Sequence, residues 1–555
     1  MKTICLYFEI HQNIHLKRYR FFDIGTDHYY YDDYENERSI TETAEKSYIP
    51  ALKALIEIAQ KEGKAFKCAL SLSGTAIELL ERYSPEVLDL LHELSKTGCV
   101  EFLAEPYSHG FSSLKNPECF KEETKRLSKK IKSLFGTEPK VFRNSCLVYS
   151  DEIGKQVADM GFKGMLAEGA KQVLGWKSSH FVYECALNPK LKLLLRDNSL
   201  SEDISFRFND SSWSEYPLFA ETYANWIANL PEQDQVINIF MELCALGIFQ
   251  PLSSNILEFL KALPAHCRER GIVFSTPSEI CSKVKSAGPL PVSYPTSWVD
   301  EERDLSPWLG NDMQRDAMEK LYSVADRVRI ANDKRLKQDW DYLQATNNFR
   351  FMSTKQNSYG GYRGIYDSPY DAFTNYMNIL GDFTHRVNNL YPEFENEELN
   401  SLLTTIKNQA IELERKDKEI EKLQNLLGQL DEMTSGLDAE TKAKVKMAQE
   451  KKPAPAKKVV AAKKPAATKK PTAKKPAVKK AEPAAKKAEP VVKKAEPKKE
   501  PAKKAVAKVA PAVKEVPAKK AVAKKPVAKK ATPAKAAPAK KAEPKKAPAK
   551  KAAKK

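Results

Sequence analysis

Side chains able to move protons or act as nucleophiles gather in five short stretches of this chain. The first is Glu9-Ile10-His11-Gln12. The second runs over 98–109 and holds Glu101, Glu105, Tyr107 and His109. The third, 142–149, reads Phe-Arg-Asn-Ser-Cys-Leu-Val-Tyr and centres on Cys146. The fourth, 200–208, carries Glu202 and Asp203, and the fifth, 240–250, carries Glu242 and Cys244. Carboxyl and imidazole groups are the common proton donors and acceptors of enzymes, and a thiol attacks once it is ionised. A lone histidine after a strand is more often a structural hydrogen-bonder than a catalyst. Five polar clusters, each at the end of an apolar run, are a stronger signal.

The elements that must position them are legible around residues 141–168. Lys140–Arg143 reads as a short strand, and Ile153, Val157 and Met160 recur at helical spacing. Gly161 stops the helix, and 162–167 is a second apolar run. Similar apolar runs occur at 3–10, 66–72, 99–104, 191–195, 236–242 and 272–274. Helical patterns fill several of the gaps, at 49–60, 76–96, 117–135 and 254–270. Alternating strands and helices predict a parallel sheet, and this many units predicts a closed or nearly closed β/α barrel. An open doubly wound sheet normally carries a glycine-rich loop after its first strand; here Ile10 runs into His11-Gln12-Asn13. In barrels of this kind the loops at the C-terminal strand ends converge, which is where the five stretches lie.

The 555 residues exceed what one core usually holds. A helical subdomain is expected over 291–394 after a barrel over 1–290, its best helix at 313–332 and an exposed loop at 359–366. Over 395–440, Leu399, Leu402, Ile406, Leu413, Ile420, Leu423, Leu427 and Leu430 fit a and d positions, with Gln409 and Lys416 interrupting the seam. This predicts a short coiled coil and a homo-oligomer; the alternative is one amphipathic helix lying on the body.

The net charge of +18 conceals two opposite halves. Residues 451–555 hold 37 Lys, no Arg and 6 Glu, a net of +31, which leaves −13 for the remainder. Frequent proline and self-repelling lysine predict a disordered tail over 441–555. The tail is similar to the C-terminal tails of linker histones, and its lysine pairs suit non-specific DNA or RNA binding. A solubilising spacer, or a tail drawn to any polyanion, is the alternative. Nine scattered cysteines without a CxxC pair suggest neither a disulfide framework nor a zinc site, so no metal or cofactor is expected. Glu9 interrupts the N-terminal apolar stretch too early for a signal peptide, and no membrane span is visible; a reduced, cytoplasmic setting is expected.

Taken together, the five stretches resemble glycoside hydrolase family 57, in particular its α-amylase branch. The similarity spans about residues 1–390 and includes Ser297-Trp298, Glu302-Arg303-Asp304 and Trp308-Leu309-Gly310-Asn311. The resemblance implies a (β/α)7-type barrel followed by a helical subdomain, and action on α-glucans with retention. It makes Asp203 the acid/base, His11 a glucose contact, and Glu105, Tyr107 and His109 substrate-side residues. Glu242 is a further strand-end carboxylate, and Trp298 and Trp308 offer stacking faces to a sugar ring, or simply pack between barrel and helices. Active α-amylases of the family read FRNxELxY where this chain has Cys146 at the nucleophile's place, and carry Glu and His where it has Cys244 and Phe249. Retaining glycosidases need two carboxyl groups about 5–5.5 Å apart. The expectation is therefore an α-amylase-like protein that binds α-glucan with lost or weak hydrolysis. Two alternatives stand beside it: an active α-amylase or glucanotransferase with a relocated nucleophile such as Glu242 or Glu105, and a scaffold that bridges nucleic acid.

Overall fold

The computed structural model describes residues 2–355 and 365–390, with scattered helical positions between 405 and 424. Most of the expected coiled coil, the whole basic tail and most of the 359–366 loop lie outside the described residues. Leu413, Ile420 and Leu423 are among the scattered positions and are exposed.

The described strands are β1 (Thr3–Ile10), β2 (Cys68–Leu72), β3 (Val100–Phe102), β4 (Val141–Arg143), β5 (Gly164–Glu168), β6 (Tyr183–Cys185), β7 (Lys192–Arg196), β8 (Val236–Glu242), β9 (Leu246–Gly247), β10 (Gln250–Pro251), β11 (Val273–Phe274) and β12 (Pro289–Leu290). Seven of them close a ring of parallel neighbours. β1 pairs β2, and β2 pairs β3. A parallel bridge from Ala104 to Phe142 joins the exit of β3 to β4. β4 pairs β5, β5 pairs β7, β7 meets β8 at Arg196–Asn238, and β8 returns to β1 from Thr3 to Glu9. The expected (β/α)7 arrangement is thus present in the pairing itself. β6 adds antiparallel to β7, β12 adds to β6, and β11 pairs the first residues of β1.

The strands have the composition that such a ring requires. β1, TICLYFEI, is buried at every residue after Thr3, as befits a strand covered on both faces. Within the barrel Tyr7 stacks on Phe240 at 5.1 Å, and the guanidinium groups of Arg143 and Arg196 lie over the Phe240 ring at 5.2 and 5.9 Å.

The helix Pro117–Phe135 has the bounds its pattern predicts. The Asn116 side chain accepts from the Cys119 N–H, Pro117 opens the first turn, and Gly136 closes it at φ +75°. The single pattern at 76–96 is two helices, Gly74–Tyr83 and Pro85–Lys96. Pro85 has no N–H to continue the first, and Ser84 before it leaves helical geometry at φ −145° and ψ 60°. The pattern at 313–332 is likewise divided, into Asp312–Tyr322 and Ala325–Ile330, where Val324 leaves helical geometry without a proline or glycine to mark the break.

Over the described residues, the barrel and the later helices belong to one compact unit. The helices Ser306–Leu309, Lys334–Leu343, Thr346–Arg350 and Pro369–Leu390 are anchored by specific contacts. Trp308 packs edge-on against Phe111, the Tyr31 hydroxyl donates to Asp339, and the Tyr30 hydroxyl donates to Asp382. The Thr346 N–H donates to the His109 carbonyl, which ties these helices to the barrel's strand-end loops. Among the described residues no helix is long and apolar enough to cross a membrane.

Candidate active site

The C-terminal strand ends enclose a cavity of about 160 Å³. Glu9 and His11 from the end of β1, Tyr48, His109 from the loop after β3, Cys146 after β4, Glu242 at the end of β8 and Cys244 just after it line it. Trp298 and Val299 close one side, and Trp308, Asn347 and Arg350 arrive from the helices. Of the residues singled out in the sequence, His11, His109, Cys146, Glu242, Trp298 and Trp308 therefore meet around one space.

An ionic cluster forms its floor. The buried Arg143 donates through Nη2 to Glu9 Oε2 at 2.5 Å and through Nη1 to Glu105 Oε2 at 2.9 Å. One cation serves two carboxylates in a site almost without solvent. Burial outweighs the guanidinium, so the Glu9 carboxyl is pushed up to about 8 and that of Glu105 is also raised. Beside the pair His11 and His109 stack at 3.9 Å between centroids, and His11 Nδ1 lies 2.8 Å from Ser73 Oγ. Burial lowers the pKa of both imidazoles, and each is neutral.

Cys146 stands in this setting as a protonated thiol. Its Sγ lies 3.8 Å from His109 Nε2 and 3.9 Å from Thr346 Oγ1. Burial, followed by the nearby Glu9, pushes the thiol up to about 12. The backbone there is left-handed at two successive non-glycine residues, Cys146 at φ +52° and Leu147 at φ +54°. Such geometry is costly, and here the Trp298 N–H donates to the Cys146 carbonyl at 3.3 Å. At the opposite wall the Cys244 thiol donates to Glu242 Oε2 at 3.3 Å.

Asp203 belongs to a neighbouring cluster and does not line this cavity. It accepts from Arg207 at 2.7 Å, while Glu202 is bound by Arg303 and lies 3.7 Å from Arg196, which also holds Glu168 at 3.1 Å. Burial raises the Asp203 carboxyl to about 6 against the opposing pull of Arg207. Tyr107 is turned away: its hydroxyl donates to Glu78 and its ring lies under Arg126 at 3.7 Å. Glu105 lies beneath the lining, held by Arg143. Trp298 packs on Phe240 edge-on at 5.5 Å and under Arg196 at 5.4 Å, and Trp308 is almost fully enclosed. Both border the cavity while most of their surface is spent on packing. Phe249 stacks on Phe206 at 5.8 Å outside it.

The roles of Glu9 and Arg143 escaped the sequence reading, although a charge within an otherwise apolar strand was a usable signal for both. Tyr48, Asn347 and Arg350 had no such signal, since only the fold brings the helical segment Ala44–Tyr48 and the helix Thr346–Arg350 to the strand ends.

A closed parallel barrel with carboxylates, imidazoles and tryptophans around a strand-end cavity is a plausible frame for carbohydrate chemistry, and comparison with known proteins gives it a family. The sequence model of "Glycosyl hydrolase family 57" matches residues 5–293. A protein of Methanocaldococcus jannaschii named "Putative alpha-amylase" is 35% identical over 381 residues, covering 66% of this chain and 80% of that one. The chain belongs to glycosyl hydrolase family 57. Among solved structures, a family 57 branching enzyme of Thermococcus kodakaraensis in complex with glucose superposes with TM-score 0.52 at 13% identity, covering 72% of this chain and 94% of that one. A branching enzyme of Pyrococcus horikoshii gives TM-score 0.50 at 13% identity, covering 73% and 94%. At such identity these two likenesses speak for the fold alone.

Proposed function

We propose that this protein is an α-amylase-like member of its family that binds α-glucan and hydrolyses it weakly or not at all. The observation that carries the reading is Cys146 in the cavity wall as a neutral thiol, at the place where the family's α-amylases carry a glutamate. An oxocarbenium-like transition state calls for a carboxylate beside it and a second carboxyl group as acid. A thiol held up to about 12 supplies no negative charge at neutral pH. Asp203, raised to about 6, retains a proton-donor's character yet lacks the partner that would share the work. His11, His109, Glu242 and the two tryptophans remain as groups for a sugar's hydroxyls and apolar face.

The test is calorimetry with maltooligosaccharides together with a reducing-end assay on the same preparation. Binding without turnover is the expected result. Turnover at ordinary enzyme rates, lost on Asp203→Asn, would replace this reading with an active enzyme. That second reading has one observation in its favour: Glu242 lines the same cavity as Cys146. A further Glu242→Gln change abolishing the activity would then identify the displaced nucleophile. Absence of any oligosaccharide binding would favour the scaffold reading, in which the tail's affinity for nucleic acid is the main activity.

A further inference from the structure

Three buried polar atoms converge at the cavity floor and none has a hydrogen-bond partner: Glu9 Oε1, Glu105 Oε1 and His109 Nδ1. Buried polar groups are ordinarily satisfied, so three orphans facing one point call for a ligand. His109 Nδ1 is 3.4 Å from Glu9 Oε1 and 3.8 Å from Glu105 Oε1, and all three atoms lie within 4.8 Å of one another. All three side chains are more than nine-tenths buried. We propose that Glu9, Glu105 and His109 form a site for one divalent cation of the zinc class, a site independent of the glucan reading.

The arrangement around the three atoms is that of a ligand set with its supports. Arg143 engages only the Oε2 atoms, fixing both carboxylates and leaving each Oε1 turned to the common point. Outer groups that orient metal-binding side chains in this way are a regular part of metal sites. Neutral His109 can offer its Nδ1 lone pair if its proton sits on Nε2, which faces Cys146 Sγ at 3.8 Å. Zinc binds nitrogen and oxygen at roughly 2.0–2.2 Å, which sets tetrahedral ligand atoms about 3.4 Å apart. The His109–Glu9 spacing is already there, and the remaining pairs close by no more than about 1.4 Å. One imidazole and two carboxylates make three protein ligands, the set typical of a zinc ion that keeps a fourth position open. Glu9 and His109 line the cavity, so that position is available to water or a sugar hydroxyl. Ligand carboxyl and imidazole groups bind a cation only when deprotonated, so affinity is expected to rise with pH.

The alternative is a direct hydrogen bond from His109 Nδ1–H to Glu9 Oε1 after a small shift. Untagged full-length protein, stripped with chelator and dialysed against ZnCl2, separates the two by elemental analysis and calorimetry. One zinc per chain is expected, with affinity reduced at least about 100-fold in Glu105→Gln and in His109→Gln, and about 10–100-fold in Arg143→Lys. Melting temperatures check that the variants fold. Co2+ loading of the unaltered protein needs no variant: visible bands of four-coordinate Co2+ without a thiolate charge-transfer band support the site. No retained ion, undiminished affinity in folded Glu105→Gln and His109→Gln, or a thiolate band placing the ion on cysteine each overturns it. Glucan binding on the same samples is read separately, so failure of either proposal leaves the other standing.

Discussion

On the proposed function, Cys146 is where a single atom type decides whether hydrolysis proceeds. Placing a carboxylate there by Cys146→Glu adds a further buried acid near Glu9 and Glu105, and the fold is expected to accept it because the position borders a cavity. Turnover is expected to stay low in this variant, since Cys244 still replaces a polar contact. The triple change Cys146→Glu, Cys244→Glu, Phe249→His is expected to hydrolyse maltooligosaccharides faster than the single one. A reducing-end assay has ample range for this, because losing a nucleophile commonly costs many powers of ten. Arg143 makes a separate test of the cavity floor. Arg143→Met strands two buried carboxylates and is expected to cost about 3–5 kcal/mol in urea unfolding, much of it recovered when Glu9→Gln and Glu105→Gln are added. Asp203 gives a pH signature. Its carboxyl rises from an ordinary value near 3.8 to about 6 on folding, so the folded state binds the extra proton. Its contribution is favourable at low pH and is lost as pH rises through that window. The stability difference between the unaltered protein and Asp203→Asn is expected to shift against the unaltered protein between pH 4 and 6, and to reach a plateau above.

Among the elements, the site depends on turns that only particular backbones allow. Gly247 sits at φ +129° with room for no side chain: a Cβ there would meet the Lys46 carbonyl oxygen at 2.1 Å. This close approach sets the segment that follows Glu242 and Cys244 against the helical segment Ala44–Tyr48. Gly247→Ala is expected to lose more than about 1 kcal/mol of stability and to weaken oligosaccharide binding together with it. A variant with wild-type melting temperature would remove this account of the loop. The helix Pro117–Phe135 gives a control remote from the cavity. Asn116→Ala removes its N-terminal cap and is expected to cost about 1 kcal/mol without altering ligand affinity.

At the scale of the whole molecule, an acidic body and a basic tail call for separate measurements. We propose that residues 451–555, with their net +31, bind DNA or RNA without sequence preference. Affinity is expected to fall steeply with salt, because each neutralised phosphate releases a condensed counterion. Deleting the tail is expected to abolish it; binding that survives about 0.5 M salt, or the deletion, excludes the proposal. Residues 395–430 are proposed to join two copies through their heptads. Light scattering on versions ending near 395 and near 444 checks this, and a monomer in both favours one helix lying on the body.

Much of the fold was open to sequence reasoning because the strands are short, continuous apolar runs and their spacing is regular. Full burial on both faces demands that composition, so the runs at 3–10, 141–143, 164–168 and 236–242 announce themselves. The Asn116-Pro117 start and Gly136 stop were equally local signals. The candidate site residues were visible as types at strand ends, and the exchange at Cys146 was visible as a letter. Their grouping was not. That Cys146 faces His109, and that Arg143 clamps Glu9 to Glu105, depends on contacts between residues 37 to 134 positions apart. Tyr107 likewise turns from the cavity because Arg126 and Glu78 hold it. The same is true of the protonation states, since burial sets them and burial belongs to the packed chain. Local order along the chain therefore determined the elements and the chemical types at their ends. Ring closure of seven strands decided which of those types meet, and whether each carries a proton.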